Sequence, residues 1–248
     1  MTLSDAELDR YARHIVLPQV GGVGQRRLKS SKVAIVGAGG IGSAVIPSLA
    51  GAGVGNLTII DPDVVELSNL QRQSMFRERD AGYSKADLAL QFVQRLNHFV
   101  EARPVQQRIS AENAEHLLAG HDLVIDGSDN FATRLAVSDA CVGLGVTLIS
   151  AAAAQFQGQV GMFRARPCYR CFVGDAFDAD DCDNCSELGV LGAVTATVGS
   201  FAALLAINSI VGVGDDQAGR LHLFEAESLG WRTIRIPADP TCRTCASA

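Results

Sequence analysis

Between Lys32 and Gly42 the chain reads Lys-Val-Ala-Ile-Val-Gly-Ala-Gly-Gly-Ile-Gly, and this stretch dictates most of what can be built around it. A short apolar run, Val33 to Val36, breaks into Gly37-x-Gly39-Gly40-x-Gly42 and passes into a helical pattern of small residues. Glycines at this spacing allow a tight strand-to-helix turn and let backbone N–H groups approach a phosphate at the helix N-terminus. A second strand, Leu57 to Ile60, ends in Asp61, about 20 residues past the loop, where a carboxylate holds ribose hydroxyls. The pattern predicts a bound nucleotide in an α/β sheet and leaves NAD and ATP both open.

A chain of 248 residues is long enough for one large core or two small ones. With 48% hydrophobic and 19% charged residues it has the makeup of an ordinary globule. A net charge of −6 gives no basis for general nucleic-acid affinity. Met1 to Glu7 is acidic and lacks the basic and apolar regions of a signal peptide, so the cytoplasm is the expected location. There, seven cysteines point to metal or thiol chemistry rather than disulfides. Leu188 to Gly214 carries no charge and is long enough to span a bilayer. Its flanks, Glu187, Asp215 and Asp216, are acidic, and it holds Thr195, Thr197, Ser200, Asn208 and Ser209. A helix buried between a sheet and another subunit is the better expectation.

Residues 1–31 read as a polar, helical arm in which Ser4 and Glu7 form a capping box. Such an arm ordinarily packs on the surface; the alternative is that Arg10 and Arg13, which share one face of it, reach a phosphate in a neighbouring subunit. After Asp61, the segment holding Ser68, Asn69, Gln71, Arg72 and Gln73 is dense in amide and guanidinium donors suited to a polyphosphate. Lys85 stands at the start of a predicted helix, Ala86 to Asn97, against the macrodipole; a phosphate there would resolve the conflict. Glu101 to Ile109 alternates like a strand. Asp122 to Asp126 is a buried parallel strand ending in Gly127-Ser-Asp-Asn130, so Asp129 faces the glycine loop. Its carboxylate suits Mg²⁺ against phosphate oxygens, or the N-cap of the helix Phe131 to Leu144. Thr147 to Ala152 is a further strand, Gln157 to Phe163 an antiparallel extension, and Leu221 to Glu225 and Trp231 to Ile236 two more.

The cysteines fall as Cys168/Cys171, Cys182/Cys185 and Cys242/Cys245, with Cys141 alone on a helix as a core residue. One tetrahedral zinc takes two C-x-x-C pairs, so one pair is spare, and spacing does not say which.

With these residues in place, the chain resembles the sulfur-carrier-protein adenylyltransferases of the MoeB/ThiF group, relatives of ubiquitin-activating enzymes. The likeness lies in Arg10-Tyr-Ala-Arg13, Gly37 to Gly42, Asp61, Leu67-Ser-Asn-Leu-Gln-Arg-Gln73, Lys85, Asp126 to Asn130, Pro167 to Cys171, Cys185 to Gly192 and the terminal cysteine pair. It implies ATP-dependent adenylation of the C-terminal glycine carboxylate of a small ubiquitin-like carrier ending in Gly-Gly, for molybdopterin synthesis or, as the alternative, the thiazole pathway. By the same likeness the nucleotide contacts would come from Gly37, Gly39, Gly40, Gly42, Asp61, Ser68, Asn69, Leu70, Gln71, Arg72, Gln73, Lys85, Asp129 and Asn130. Asp129 would hold Mg²⁺, and Arg13 would enter the partner's site in a homodimer. Zn²⁺ would be held structurally by Cys168, Cys171, Cys242 and Cys245. Cys185 would lie on a segment crossing the carrier's tail, where a covalent role is open to it. The sequence departs from the group at Gly127-Ser128, which replaces a Cys-Thr pair, and at Cys182. No rhodanese domain is expected after Ala248, and the sulfur donor, of cysteine desulfurase or rhodanese type, is expected to be a separate protein.

The expected fold is a doubly wound, largely parallel Rossmann-like sheet with an antiparallel extension and one structural zinc site. It would form a single domain: an arm (1–31), a nucleotide-binding core (32–165) and a zinc-stapled C-terminal part (166–248) with a crossover segment at about 172–190. An NAD-dependent oxidoreductase would share the glycine loop but not need Arg72, Lys85 and Asp129 together. A non-catalytic partner-binding protein of this fold is the third possibility.

Overall fold

A computed structural model describes residues 2–174 and 189–246. The expectations for Cys182, Cys185 and most of the crossover segment therefore lie outside the described residues. Eight strands form one sheet in the order β3-β2-β1-β4-β5-β6-β7-β8. They are β1 (Lys32–Val36), β2 (Asn56–Ile60), β3 (Glu101–Val105), β4 (Leu123–Asp126), β5 (Thr147–Ala154), β6 (Gln157–Phe163), β7 (Arg220–Glu225) and β8 (Gly230–Arg235). The first five are parallel and the last three run antiparallel, as the sequence predicts.

Helices cover both faces because the central strands are apolar on both sides. Along β1, Val33 and Ile35 enter one core, with Val45, Ile46 and Leu49 of α4 (Gly42–Ala52). Ala34 and Val36 enter the other, with Leu118 of α6 (Ala114–Leu118) and Val137 of α7 (Phe131–Leu144). Period-two alternation thus builds the doubly wound arrangement from a single strand.

The strand expected over Glu101 to Ile109 stops at Val105. That residue pairs with Ile60, the last of β2, and beyond it no partner strand remains. Pro104 is tolerated because β3 is an edge strand.

At the strand-to-helix turn Gly37 has φ +91°, the left-handed region. A Cβ on Gly42 would overlap the carbonyl oxygen of Gly37, so this last glycine serves the tightness of the turn.

Beyond the short α8 (Tyr169–Val173), the apolar helix α9 (Gly192–Val211) packs on α4, β5 and β6, with Gly199 against the carbonyl of Ile41. By length and composition it is able to cross a membrane, yet half of its apolar window is buried inside the protein. Its other side stays exposed at Ala193, Ala196, Ser200 and Leu204.

The N-terminal arm folds as α1 (Asp5–Arg10), α2 (Ala12–Ile15) and α3 (Gly21–Ser30), with the predicted Ser4–Glu7 capping box. It is fastened to the far ends of two core helices, α4 and α5 (Lys85–Leu96). Asn97 Nδ2 donates to Tyr11 Oη at 2.8 Å and to Ala50 O at 2.7 Å, and Arg10 donates to Leu96 O.

Candidate functional site

The strand order reverses between β1 and β4, and ligands of open α/β sheets bind in the crevice outside the strand ends at such a point. A cleft of about 770 Å³ opens there. Its floor is the glycine loop: Gly37, Gly39 and Gly40 line it, whereas Gly42 is turned into the fold.

Asp61, at the end of β2, is 4% exposed and braces that loop. Its Oδ2 accepts from the Ala38 N–H at 2.7 Å and its Oδ1 from the Asp63 N–H at 2.8 Å. Burial pushes its carboxyl pKa up, opposed by the Asp63 N–H, the charge of Lys85 and the Ala38 N–H.

From the segment after β2, Asn69, Gln71, Arg72 and Gln73 line the cleft. Asn69 is fixed through its Oδ1, which accepts from the Glu66 N–H at 3.4 Å. Gln73 is buried beside Gly39, and its Oε1 has no hydrogen-bond partner among the described residues. An orphan acceptor at a cleft wall fits a ligand donor. Ser68 and Leu70 do not line the cleft: Ser68 Oγ donates to Glu66 at 3.3 Å, and Leu70 packs on the core.

Lys85 opens α5 and is 6% exposed. Its conflict with the helix dipole is met partly by protein, since Asp63 pairs with Lys85 at 3.4 Å and with Arg108 at 3.5 Å. Arg108 lies just past β3, where the sequence suggests more strand, and lines the cleft as a result.

Asp129 and Asn130 both line the cleft. The choice left open for Asp129 is resolved by its neighbour: Asn130 is the N-cap of α7, accepting from the Thr133 N–H at 2.8 Å. The Asp129 carboxylate is exposed to the cleft, in no hydrogen bond or ion pair among the described residues. A free carboxylate beside a glycine loop of this kind has the chemistry of a divalent-cation ligand.

Sequence reasoning missed Arg134. It lines the cleft from the first turn of α7, buried, and donates to Ser128 O, to Ala151 O at 3.0 Å and to Ser150 Oγ at 3.2 Å. The signal was the one used for Lys85, a cation in the first turn of a helix. Arg13 lies away from the cleft, on the exposed side of α2.

On the far side of α7, the thiols of Cys168, Cys171, Cys242 and Cys245 lie within 4.8 Å of one another. Cys168 and Cys242 are 3.6 Å apart, Cys171 and Cys245 3.4 Å. Four thiolates about 2.3 Å from a tetrahedral zinc stand roughly 3.8 Å apart, so the cluster fits that metal. Around it Asp139 of α7 accepts from Arg170 Nε at 2.8 Å and Nη2 at 2.7 Å, and from Thr244 Oγ1 at 2.9 Å. Arg170 lies between Cys168 and Cys171 and Thr244 between Cys242 and Cys245, so one carboxylate ties the two cysteine pairs together. Cys141 is core packing, as expected; burial, with help from the charge of Asp126, pushes its thiol up to about 12.

The family model described as ThiF family matches residues 11–244. The chain belongs to the ThiF family. It is 41% identical over 252 residues to the sulfur carrier protein adenylyltransferase of Thermus thermophilus, covering 99% of this chain and 93% of that protein. To the SAMP-activating enzyme E1 of Haloferax volcanii it is 40% identical over 246 residues, covering 99% and 91%. It also matches the adenylyltransferase and sulfurtransferase MOCS3 of Bos taurus at 42% identity, covering 98% of this chain and 54% of that protein. Among solved structures, E. coli MccB with ATP superposes with a TM-score of 0.84 at 22% identity, covering 99% of this chain and 77% of that one. At that identity the likeness establishes a ThiF-type fold.

Proposed function

We propose that this protein is an ATP-dependent adenylyltransferase acting on the C-terminal glycine carboxylate of a small ubiquitin-like sulfur carrier, in molybdopterin synthesis. It would act as a single domain with the three parts read from the sequence. The observation that carries the reading is the meeting of Arg72, Lys85 and the unengaged Asp129 around one cleft. The Thermus thermophilus and Haloferax volcanii relatives, matched over more than nine-tenths of their own length at 41% and 40% identity, support it.

The carboxylate attacks the α-phosphate and pyrophosphate leaves, so the protein's work is positioning and neutralisation of charge. Asp61 takes the ribose and steadies the loop whose N–H groups meet the phosphates. Arg72 and Lys85 offset the negative charge of the leaving pyrophosphate. Asp129 would hold Mg²⁺, which supplies further charge neutralisation at the phosphate oxygens. The four clustered cysteines would hold a structural Zn²⁺, with no open position for water.

The site would be completed in a homodimer. Arg13 belongs to an arm fastened at the far ends of α4 and α5, helices whose near ends carry the glycine loop and Lys85. The 11 residues of α4 span roughly 16 Å. That separation from its own cleft supports a role for Arg13 in a neighbouring copy's cleft, and the uncharged exposed face of α9 would offer a surface for that copy. A mixture of Arg13→Ala and Lys85→Ala proteins should then regain about a quarter of wild-type activity, since about half the dimers are mixed and half their sites intact. No recovery despite demonstrated subunit exchange would put Arg13 outside catalysis. The function as a whole is tested by ATP–pyrophosphate exchange with a panel of Gly-Gly-terminated carriers. Exchange that none of them stimulates would overturn it.

A further inference from the structure

Arg134 makes no ion pair among the described residues. Its three acceptors, Ser128 O, Ala151 O and Ser150 Oγ, are uncharged. No carboxylate in the described structure stands within ion-pair distance of its guanidinium. Asp126 comes nearest in connectivity, but its Oδ1 accepts from the Ser128 N–H at 3.0 Å. Asp126 and Arg134 therefore grip the N–H and the C=O of one residue, Ser128, rather than each other. Arg134 is 7% exposed and lies in the first turn of α7, where the helix dipole also disfavours a cation. A buried cation so placed is costly unless an anion joins it. Its Nε–H and one Nη1–H have no acceptor among the described residues, and the side chain lines the cleft.

The strand order says which anion. Asp61 follows β2, the glycine loop follows β1, Ser128 follows β4, and Ala151 is in β5. Neighbouring strands are about 4.8 Å apart, so Asp61 and Ala151 are separated by three spacings, roughly 14 Å. Lys85 and Arg108 gather at Asp63, on the β2 side. The cleft thus has cations at two ends. A nucleotide held by Asp61 and the glycine loop has its phosphates met by the first group. The β5 end, walled by Ala152, Ala153, Gly189 and Val190, is left for a slender chain with small side chains.

We propose that Arg134 binds the C-terminal carboxylate of the second substrate and presents it to the α-phosphate, so that the site selects for a free chain terminus. This rests on the adenylation reading and names a residue for its second substrate. The donors left on Arg134 hold one carboxylate oxygen while the other faces phosphorus. Because the same guanidinium fixes the Ser128 carbonyl, the carboxylate and Asp129 are registered to one peptide.

The test pairs two enzymes with two ligands. Wild-type and Arg134→Gln proteins, each with an ATP analogue carrying a methylene group between the α- and β-phosphorus, are titrated with the carrier that supports exchange. The carrier is used with its natural carboxylate and as the C-terminal carboxamide. Wild type should bind the carboxylate form roughly 10- to 100-fold more tightly, the range of a hydrogen-bonded charge. Arg134→Gln should bind both forms alike, with analogue affinity unchanged. Undiminished preference for the carboxylate in Arg134→Gln overturns the assignment, as does an equal loss of analogue affinity, which would give the guanidinium to the phosphates. Arg134→Lys keeps the charge and serves if the glutamine variant does not fold. It should retain a preference, and a folded, nucleotide-binding lysine variant with none would overturn a charge-based role. Absence of carrier-dependent exchange in wild type removes the adenylation reading and this assignment with it, whereas exchange alongside retained preference removes this assignment alone.

Discussion

Asp129→Ala is expected to lower carrier-dependent ATP–pyrophosphate exchange roughly 10²- to 10³-fold, or about 2.7–4 kcal/mol, with little change in stability. The two halves of that expectation have separate causes. The carboxylate faces the cleft unengaged, so its removal strips charge from the phosphate site. The cap of α7 is made by Asn130, so the fold loses nothing of note. Asn130→Ala should show the reverse emphasis, with about 1 kcal/mol of stability lost with the cap. Exchange near the wild-type rate in Asp129→Ala would sink the proposed Mg²⁺ role.

Replacing Cys242 and Cys245 by serine should abolish metal binding and destabilise the protein sharply. Structural zinc is worth about 10–16 kcal/mol in small zinc domains. A third of that, at about 2–4 °C per kcal/mol in a domain of this size, would lower the melting temperature by roughly 10 °C. Metal analysis and a thermal melt of the double variant are the measurements. A full zinc complement would hand the site to Cys182 and Cys185 instead.

The parts of this molecule that were legible in the sequence are those governed by local rules. The glycine loop, Asp61 and the two-sided apolarity of β1 follow from spacing and period alone, and they suffice to place the cleft. The end of β3 was not legible, because alternation continues through Ile109 while the partner strand stops at Ile60. Whether Asp129 or Asn130 caps α7 is a one-residue ambiguity that only backbone geometry resolves. The pairing of Cys168 and Cys171 with the terminal cysteines joins residues 74 apart in the chain, beyond any spacing rule. Arg134 was overlooked because an arginine in a helical run looks like a solvated residue until the sheet is laid beneath it.

Helix α7 is gripped at two places. Asn130 caps it at the cleft, and Asp139, nine residues on and roughly 14 Å away, is clasped by Arg170 and Thr244 from within the two cysteine knuckles. A helix of that length does not absorb a displacement at one end; it transmits it. Metal occupancy would then govern the aim of Asp129 and Arg134 as well as the integrity of the C-terminus. A chelator should accordingly behave first as an inhibitor and only later as a denaturant, with turnover falling while helical ellipticity still stands. Should the two decline together, the knuckles are a staple and nothing more.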